Sequence, residues 1–431
     1  MAVDSPLRVC VLTLGCKVNQ NESQALAAAL RAGGARATAG DEREEADVYV
    51  VNTCTVTNLA DQKSRKLIRK VIREHPGARV VVTGCYAQAD AEAVKSIQGV
   101  SLIVGNAGKP ALAEQILGLA PGFCPEVKAW DPETRTRAVL KIQDGCRQFC
   151  SYCIIPYVRG KIQSLDAESV YHRVRELAAS GCREVVLTGI HLGAYGLDRG
   201  EEDGLGRLLE TLLPRFPQTR IRLGSLEPAE VSPRILRLAR EWPNFCKHLH
   251  LPLQSGHDDI LTAMNRPYTT AQFEGTVGQV REAAPDIAVT TDCIVGFPGE
   301  TEERFAQYME FVKKMAFSRI HVFAFSSRKG TPAASMDRQI SNKVKLRRSR
   351  ELIQLGMDLS RSYGAKFIGK TLSVLVEQRR SPGMWEGHAS NYLTVQFADS
   401  GGEQRDYAGQ TADIEILSWN GQGLTGKKIE S

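Results

Sequence analysis

No apolar run in the 431-residue sequence approaches the roughly 20 residues a membrane-crossing helix needs; stretches such as Val80-Val81-Val82 are typical of what it has. The first ten residues, MAVDSPLRVC, have no basic segment leading into an apolar core, so no export signal is expected. A disordered composition is absent too. Hydrophobic residues make up 42% and charged residues 24%, the balance of a folded globular protein. Nor is there a strong excess of one charge: 55 basic and 49 acidic side chains leave a net +6, too mild by itself to demand a polyanionic partner. A soluble, cytoplasmic protein without a membrane partner is the expectation.

The charge that is present is unevenly spread. Arg338 to Arg350 holds six basic residues (Arg338, Lys343, Lys345, Arg347, Arg348, Arg350) and no acidic one. A second basic stretch runs Lys63, Arg65, Lys66, Arg69, Lys70, Arg73. Either alone reads as a solvated helix face; two on one chain make a polyanion partner worth testing. The length, at about 100–200 residues per domain, suggests two to four domains. Eleven cysteines are many for such a chain, and without an export signal they point to metal or redox chemistry rather than disulfides.

Residues 7–119 alternate β-branched runs (Arg8–Leu14, Asp47–Asn52, Arg79–Thr83, Ser101–Val104) with helical spacing over Asn21–Ala32, Ala60–Glu74, Ala89–Ile97 and Pro110–Leu117. That alternation implies βαβ units and a parallel sheet. Ala120–Arg137 is rich in proline and charge, lacks periodicity and reads as a linker. From Ala138 six longer strand–helix repeats fit a barrel of the TIM type, closed or partly open. Their strands are expected at Ala138–Gln143, Glu184–Thr188, Arg220–Gly224, Lys247–Leu253, Ala288–Val295 and Arg319–Phe325. Strand-like alternation at Thr371–Glu377, Trp385–Ala389, Leu393–Phe397 and Thr411–Leu417 then predicts a small antiparallel β-barrel. From Lys366 onward seven basic face eight acidic residues, which is not the composition of a basic RNA clamp.

The densest chemical signal is Cys146-Arg-Gln-Phe-Cys150-Ser-Tyr-Cys153, a C-x3-C-x2-C spacing just past the first barrel strand, with Asp144-Gly145 as the turn. Three thiolates this close can wrap one metal centre, and soft sulfur favours zinc or an iron–sulfur cluster. A four-iron cube with three protein ligands leaves one iron open to an exogenous group, as an enzyme needs. A structural zinc site would take a fourth ligand, for which His172 and Cys182 are nearest in sequence. A second set is dispersed: Cys16, Cys54 and Cys85 each follow a strand of the first domain, at the sheet edge where open α/β folds bind ligands. Gly15 and Gly84 beside them permit close backbone approach, so the three can converge; the bland reading is a small apolar residue at each strand end. Cys10, Cys124, Cys182, Cys246 and Cys293 show no such pattern and are assigned to packing.

With these residues in view the chain resembles a known family. The Cys146–Cys153 motif looks like the radical S-adenosylmethionine (SAM) signature, while LGCKVNQ at Leu14–Gln20, NTCTVT at Asn52–Thr57 and TGCYAQ at Thr83–Gln88 resemble the methylthiotransferases. CIIPYVRG (Cys153–Gly160), LTGIHLGAYG (Leu187–Gly196), HLPLQSG (His250–Gly256), DCIVGFPGET (Asp292–Thr301) and SSRKGTPAA (Ser326–Ala334) extend the likeness over nearly the whole chain. The KVNQ form and the Arg-Lys-Gly-Thr box are most like the branch acting on N6-threonylcarbamoyladenosine in tRNA. The implied organisation is an N-terminal parallel-sheet α/β domain over 1–120, a linker over 121–137, a partial TIM-type (β/α)6 radical SAM barrel over 138–365, and a TRAM-like RNA-binding β-barrel over 366–431.

The resemblance implies a [4Fe–4S] cluster on Cys146, Cys150 and Cys153 whose open iron chelates SAM. One-electron cleavage would yield a 5′-deoxyadenosyl radical, needed because the C2–H of adenine offers a base nothing to remove; no acid–base or nucleophilic side chain is therefore sought. A second [4Fe–4S] cluster would sit on Cys16, Cys54 and Cys85, with another SAM as methyl donor. Thr188 and Gly189 occupy the family's strand end that lines the methionine moiety. Glu227, Gln254 and Asp292 lie at later strand ends, and Ile294–Gly299 passes the adenine; each is equally a turn or cap residue. Arg159 is open to a SAM carboxylate, an RNA phosphate or a surface carboxylate. Implied partners are a tRNA anticodon stem-loop, gripped in part by the Arg338–Arg350 segment, and an electron donor such as flavodoxin or ferredoxin. Alternative substrates are isopentenyl-adenosine in tRNA and an aspartate of a ribosomal protein; a non-catalytic RNA-binding protein with structural metal sites is the alternative of another class.

Overall fold

The computed structural model describes residues 6–119, 136–381, 383–398 and 406–429. Cys124 and most of the expected linker (120–135) lie outside the described residues. The chain divides into two compact units: Met1–Asp131 with Gly145–Lys161 and Ser326–Ala334, and Pro132–Asp144 with Ile162–Phe325 and Ser335–Ser431.

The first unit is built on β1 (Arg8–Thr13), α1 (Lys17–Ala32), β2 (Arg36–Thr38), β3 (Val48–Thr53), α2 (Asn58–Glu74), β4 (Arg79–Gly84), α3 (Cys85–Ala89), α4 (Ala91–Lys95), β5 (Val100–Val104) and α5 (Leu112–Leu117). Its sheet is wholly parallel, in the order β2-β1-β3-β4-β5. Alternation sorts the strand residues onto two covered faces. Val9, Val11, Val48 and Val50 pack with Leu30 and Leu112, while Cys10, Leu12, Tyr49 and Val51 pack with Ile68 and Val71 of α2. β3 is therefore buried at all six positions, as a central strand of a doubly covered parallel sheet must be. Two details escape the sequence pattern. The three-residue β2 is too short to show alternation, and the helix expected over Ala89–Ile97 breaks at Asp90, whose carboxylate instead caps α4 by accepting from Ala93 N at 3.1 Å.

In the second unit the chain runs β6 (Ala138–Lys141) and β7 (Gln143–Asp144), departs through α6 (Ile155–Arg159) of the first unit, and returns at β8 (Gln163–Ser164). There follow α7 (Ala167–Ala179), β9 (Glu184–Thr188), α8 (Gly204–Leu212), β10 (Arg220–Leu223), α9 (Pro233–Glu241), β11 (His248–His250), α10 (Asp258–Ala263), α11 (Thr270–Ala283), β12 (Ala288–Val295), α12 (Glu302–Met315), β13 (Arg319–Ala324) and α13 (Asn342–Ala365). Six strands form a parallel series β6-β9-β10-β11-β12-β13, with β10 and β11 joined, among the described residues, by the isolated bridges Ile221↔Phe245 and Ser225↔His250. Among the described residues β6 pairs only with β9 and β13 only with β12, so the barrel is open. Side-chain caps set the helix starts: Thr301 accepts from Arg304 N at 3.2 Å to begin α12, and Ser341 begins α13 in the same way.

The C-terminal strands β14 (Thr371–Ser381), β15 (Met384–Ala389), β16 (Thr394–Ala398), β17 (Thr411–Trp419) and β18 (Leu424–Lys428) close into a barrel in the order β14-β15-β16-β18-β17. Four of its pairings are antiparallel, but β16 and β18 run parallel, with Val395 opposite Leu424. β18 was not legible as a strand because its LTGKK sequence carries a glycine and two lysines. A Cβ at Gly426 would lie 2.4 Å from the Glu415 carbonyl, so the closing strand needs the residue that weakens its signal. The barrel core (Val374, Val376, Trp385, Phe397, Ile414, Leu424) is continuous with Tyr363 of α13 and Ala288 of β12.

Candidate iron–sulfur and SAM site

Cys16 opens α1, Cys54 follows β3 and Cys85 opens α3, so each thiol stands where a parallel strand hands over to the segment after it. Asn19 draws these handovers together: its Nδ2 donates to the carbonyls of Leu14 at 2.8 Å and Thr53 at 3.0 Å, the residues that close β1's turn and β3. Asn52 Nδ2 returns a bond to the Asn19 carbonyl at 3.0 Å, and Thr53 Oγ1 donates to the Thr83 carbonyl at 2.6 Å. Gly15, at φ +113°, is where the turn passes Cys54; a Cβ there would sit 3.1 Å from the Cys54 sulfur. Burial raises the Cys54 thiol pKa, and the neighbouring Cys85 and Cys16 thiols add to the rise.

Cys146, Cys150 and Cys153 lie on the excursion between β7 and β8, which belongs to the same compact unit. Gly145 turns into it at φ +76°, and a Cβ there would meet the Lys161 carbonyl at 1.9 Å, so no other residue fits. Cys146 N donates to the Gly160 carbonyl at 3.2 Å and Cys153 N to that of Cys150 at 2.9 Å, curling the loop around its thiols. Cys150 is buried; Cys146 and Cys153 are half-buried. Two contacts tie this loop to the surroundings of the dispersed cysteines. Ala333 N donates to the Ser151 carbonyl at 2.8 Å. Five residues before it Arg328, from the Arg-Lys-Gly-Thr box, donates to Thr55 Oγ1 and Asp61 Oδ2 (2.5 Å each) just beyond Cys54.

The second contact is Arg159, which closes α6. Its guanidinium is not at a surface. The side chain is 1% exposed, Nε donates to Cys85 Sγ at 3.2 Å, Nη2 donates to Asn19 Oδ1 at 2.7 Å, and both terminal nitrogens reach Glu22. Of the partners left open by the sequence the carboxylate is the one found, but buried, and the Cys85 thiol is an additional one. The signal available was the pairing of Arg159 with the KVNQ asparagine, visible only once α6 and α1 meet.

The SAM-contact candidates lie along the partial barrel. Thr188 ends β9, and a Cβ on Gly189 would press on Gln143 at 2.7 Å. Glu227 follows β10 as the cap of a short 3-10 turn (Pro228–Glu230) and pairs with Arg266; burial raises its carboxyl pKa, which Arg266 only partly offsets. Its observed contacts are those of a cap and ion-pair partner. Gln254 adopts φ +64° beyond β11, its carbonyl accepting from Ile294 N and Tyr308 Oη. Asp292 lies inside β12 rather than at its end, flanked by His250 at 3.3 Å and His321 at 3.2 Å. Burial opposes its ionisation, but these two imidazoles outweigh burial and hold the carboxyl well below the usual range. Sequence reading missed both histidines, which only the register His250↔Thr290 and Asp292↔His321 brings onto one face. Neither proposed fourth zinc ligand is arranged as one: His172 faces Glu168 on α7, and the Cys182 thiol, pushed up to about 11 by burial, donates to the Glu184 carbonyl.

Residues 8–105 match the family described as "Uncharacterized protein family UPF0004", and residues 140–312 match the radical SAM superfamily. The chain is 38% identical to the threonylcarbamoyladenosine tRNA methylthiotransferase MtaB of Bacillus subtilis, over 94% of this chain and 92% of that one. The chain belongs to the radical SAM methylthiotransferase family. It is 34% identical to the tRNA-2-methylthio-N(6)-dimethylallyladenosine synthase of Pelotomaculum thermopropionicum (90% and 91% covered). It is also 32% identical to the ribosomal protein uS12 methylthiotransferase RimO of Desulfitobacterium hafniense (98% and 99%). The radical SAM methyltransferase TsrM of Kitasatospora setae, solved with cobalamin and a [4Fe-4S] cluster bound, shares the fold at TM-score 0.58 and 15% identity, over 77% of this chain and 74% of that one.

Membership of the radical SAM superfamily implies a [4Fe–4S] cluster and SAM. The residues present fit such a group. The C-x3-C-x2-C loop offers three soft donors on one curl, and Thr83 Oγ1 and Asn106 Oδ1 are buried near Cys85 without a hydrogen-bond partner among the described residues. No described helix is long and apolar enough to cross a membrane.

Proposed function

We propose that the protein attaches a methylthio group to C2 of N6-threonylcarbamoyladenosine beside the anticodon, at position 37 of tRNA, with SAM as both radical source and methyl donor. In this reading Cys146, Cys150 and Cys153 hold the SAM-cleaving cluster, and Cys16, Cys54 and Cys85 hold a second one. Bound there, the clusters with SAM supply one-electron chemistry able to replace an unactivated aromatic C–H. The chain's own contribution is positional: Gly145 turns the loop so that three thiols curl inward, and Asn19 gathers the handovers that carry the other three. Thr188, Gly189 and Gln254 are assigned to SAM, with Glu227 and Asp292 acting through their partners Arg266, His250 and His321. The observation that carries the reading is the gathering of both cysteine triads into one compact unit, bridged by Arg159.

The domain limits 1–120, 138–365 and 366–431 are kept as functional divisions, with the C-terminal barrel as the RNA-binding module. A cytoplasmic location and a flavodoxin- or ferredoxin-type electron donor complete the proposal. The substrate branch follows the relative at 38% identity, and mass spectrometry of tRNA nucleosides tests it. A strain lacking the gene is expected to lose 2-methylthio-N6-threonylcarbamoyladenosine and regain it on complementation. Loss of the methylthiolated isopentenyl-adenosine instead, or of the modified aspartate in a ribosomal protein, would overturn the branch.

A further inference from the structure

We propose that Arg159 is a positioning residue for the N-terminal cysteine triad, fixing the Cys85 thiolate and setting the reduction potential of the cluster held by Cys16, Cys54 and Cys85. This rests on the reading of those cysteines as cluster ligands. The guanidinium is a rigid planar fork with five N–H donors, and here it is anchored on its far side by Glu22 and Asn19, which leaves Nε directed at Cys85 Sγ at 3.2 Å. Glu22 is itself held by Lys109, so the carboxylate that steadies the fork cannot swing away. Asn106 Nδ2 approaches the same sulfur at 3.8 Å while donating to the Val158 carbonyl beside Arg159. The Cys85 sulfur therefore meets an oriented positive group whose orientation is fixed by contacts that do not involve the metal.

Hydrogen bonds to ligand sulfurs and local charge are the main protein levers on iron–sulfur potentials, and partners behind a ligand fix its orientation. Reduction adds a negative charge to the cluster, so a cation at a ligand sulfur stabilises the reduced form and raises the potential. Glu22, one bond further out, works against it. The two residues thus make opposite predictions, which a merely structural role would not. Arg159 also stands six residues beyond Cys153, at the end of the helix that packs on α3. The group that tunes one triad is therefore carried by the segment that holds the other.

The test uses the full chain with Cys146→Ala, Cys150→Ala and Cys153→Ala combined, reconstituted anaerobically with iron and sulfide, so that the N-terminal triad alone can bind. Roughly four irons per chain are expected, and redox-poised EPR reads the midpoint potential. In this background Arg159→Ala is expected to shift the midpoint negative and Glu22→Gln to shift it positive. Where Arg159→Ala does not retain its cluster, Glu22→Gln carries the test. An unchanged or negative-going midpoint in Glu22→Gln, or an unchanged one in an iron-replete Arg159→Ala protein, overturns the inference. A parent protein that binds no iron overturns the second-cluster reading instead.

Discussion

Glu184 on β9 and Arg222 on β10 are both fully buried, with Arg222 Nε donating to Oε1 at 2.6 Å and Nη2 to Oε2 at 3.1 Å. Burial resists ionisation of Glu184, yet the Arg222 guanidinium, helped by Arg137 and Arg220, outweighs it and holds the carboxyl below the usual range. A carboxyl with a depressed folded pKa contributes stability that is complete above its unfolded value, about 4.3, and is lost as pH falls through the folded one. Arg222→Leu leaves the buried carboxylate only its longer contact to Arg137 (4.0 Å) and is expected to cost about 3–5 kcal/mol in urea unfolding at pH 7. The same variant should flatten the loss of stability between neutral pH and pH 3, because its Glu184 is held ionised less firmly. Adding Glu184→Leu should restore much of the loss, since an apolar pair of similar volume needs no compensating charge. Steepened acid sensitivity in Arg222→Leu would contradict this account of the pair.

Among the secondary-structure elements, the two basic stretches turn out to differ in kind. The sequence expects the Arg338–Arg350 segment to grip RNA, but helical periodicity over its α13 part turns some of these residues inward. Arg348 is 2% exposed and donates to the Glu300 carboxylate and carbonyl, Lys345 is buried against the Phe325 carbonyl, and Arg347 pairs with Glu302. On α2, by contrast, Lys63, Lys66 and Arg69 fall three residues apart on one exposed face. Arg348→Ala is accordingly expected to lower thermal stability, by about 3–5 kcal/mol for a stranded buried partner. Lys63→Ala, Lys66→Ala and Arg69→Ala together should leave stability intact and weaken binding of the proposed tRNA partner. The slope of log affinity against log salt should fall by up to about 0.9 per lost phosphate contact. A slope unchanged by the triple variant removes α2 from the interface. This contrast also marks what sequence makes legible. Strands such as Glu184–Thr188 and Ala288–Val295 are legible to the residue because their β-branched runs end sharply at Gly189 and Gly296. The C-x3-C-x2-C loop is legible because its spacing is local, and the dispersed cysteines because each follows a readable strand. Which basic residues face inward, that Arg159 meets Cys85, and that His250 and His321 flank Asp292 were not, because each depends on register between segments 29 to 74 residues apart.

At the scale of the whole chain, the C-terminal barrel is packed into its unit more tightly than a tethered RNA-binding module would be. Ala389 ends β15 and Ser390 begins the β15–β16 connection; their carbonyls accept from Arg222 (3.5 and 3.2 Å), while Ser390 Oγ accepts from Lys247 N at 3.0 Å. Tyr392, in the same connection at φ +67°, lies under the Arg222 guanidinium and beside the His248 ring. Arg220 on β10 donates to Ser373 on β14, and Tyr363 Oη donates to the Asp286 carbonyl ahead of β12. The partial barrel and the closed barrel thus share a polar seam at Arg222 and an apolar core through Ala288 and Tyr363. A chain ending at Ala365 would uncover that core and leave the Glu184–Arg222 pair open to water on the Tyr392 side. It is expected to be poorly soluble, or to unfold well below the full chain in a thermal melt, rather than to persist as a stable enzyme that has lost only RNA affinity. Limited proteolysis of the intact protein should, by the same logic, spare the Lys366–Thr371 junction, where Gly369 N donates to the Ile416 carbonyl at 2.8 Å and Ile416 N to that of Lys370 at 2.9 Å. A truncated chain that melts at the full-length temperature would show instead that the seam adds little, and that the closed barrel is only an appended binding module.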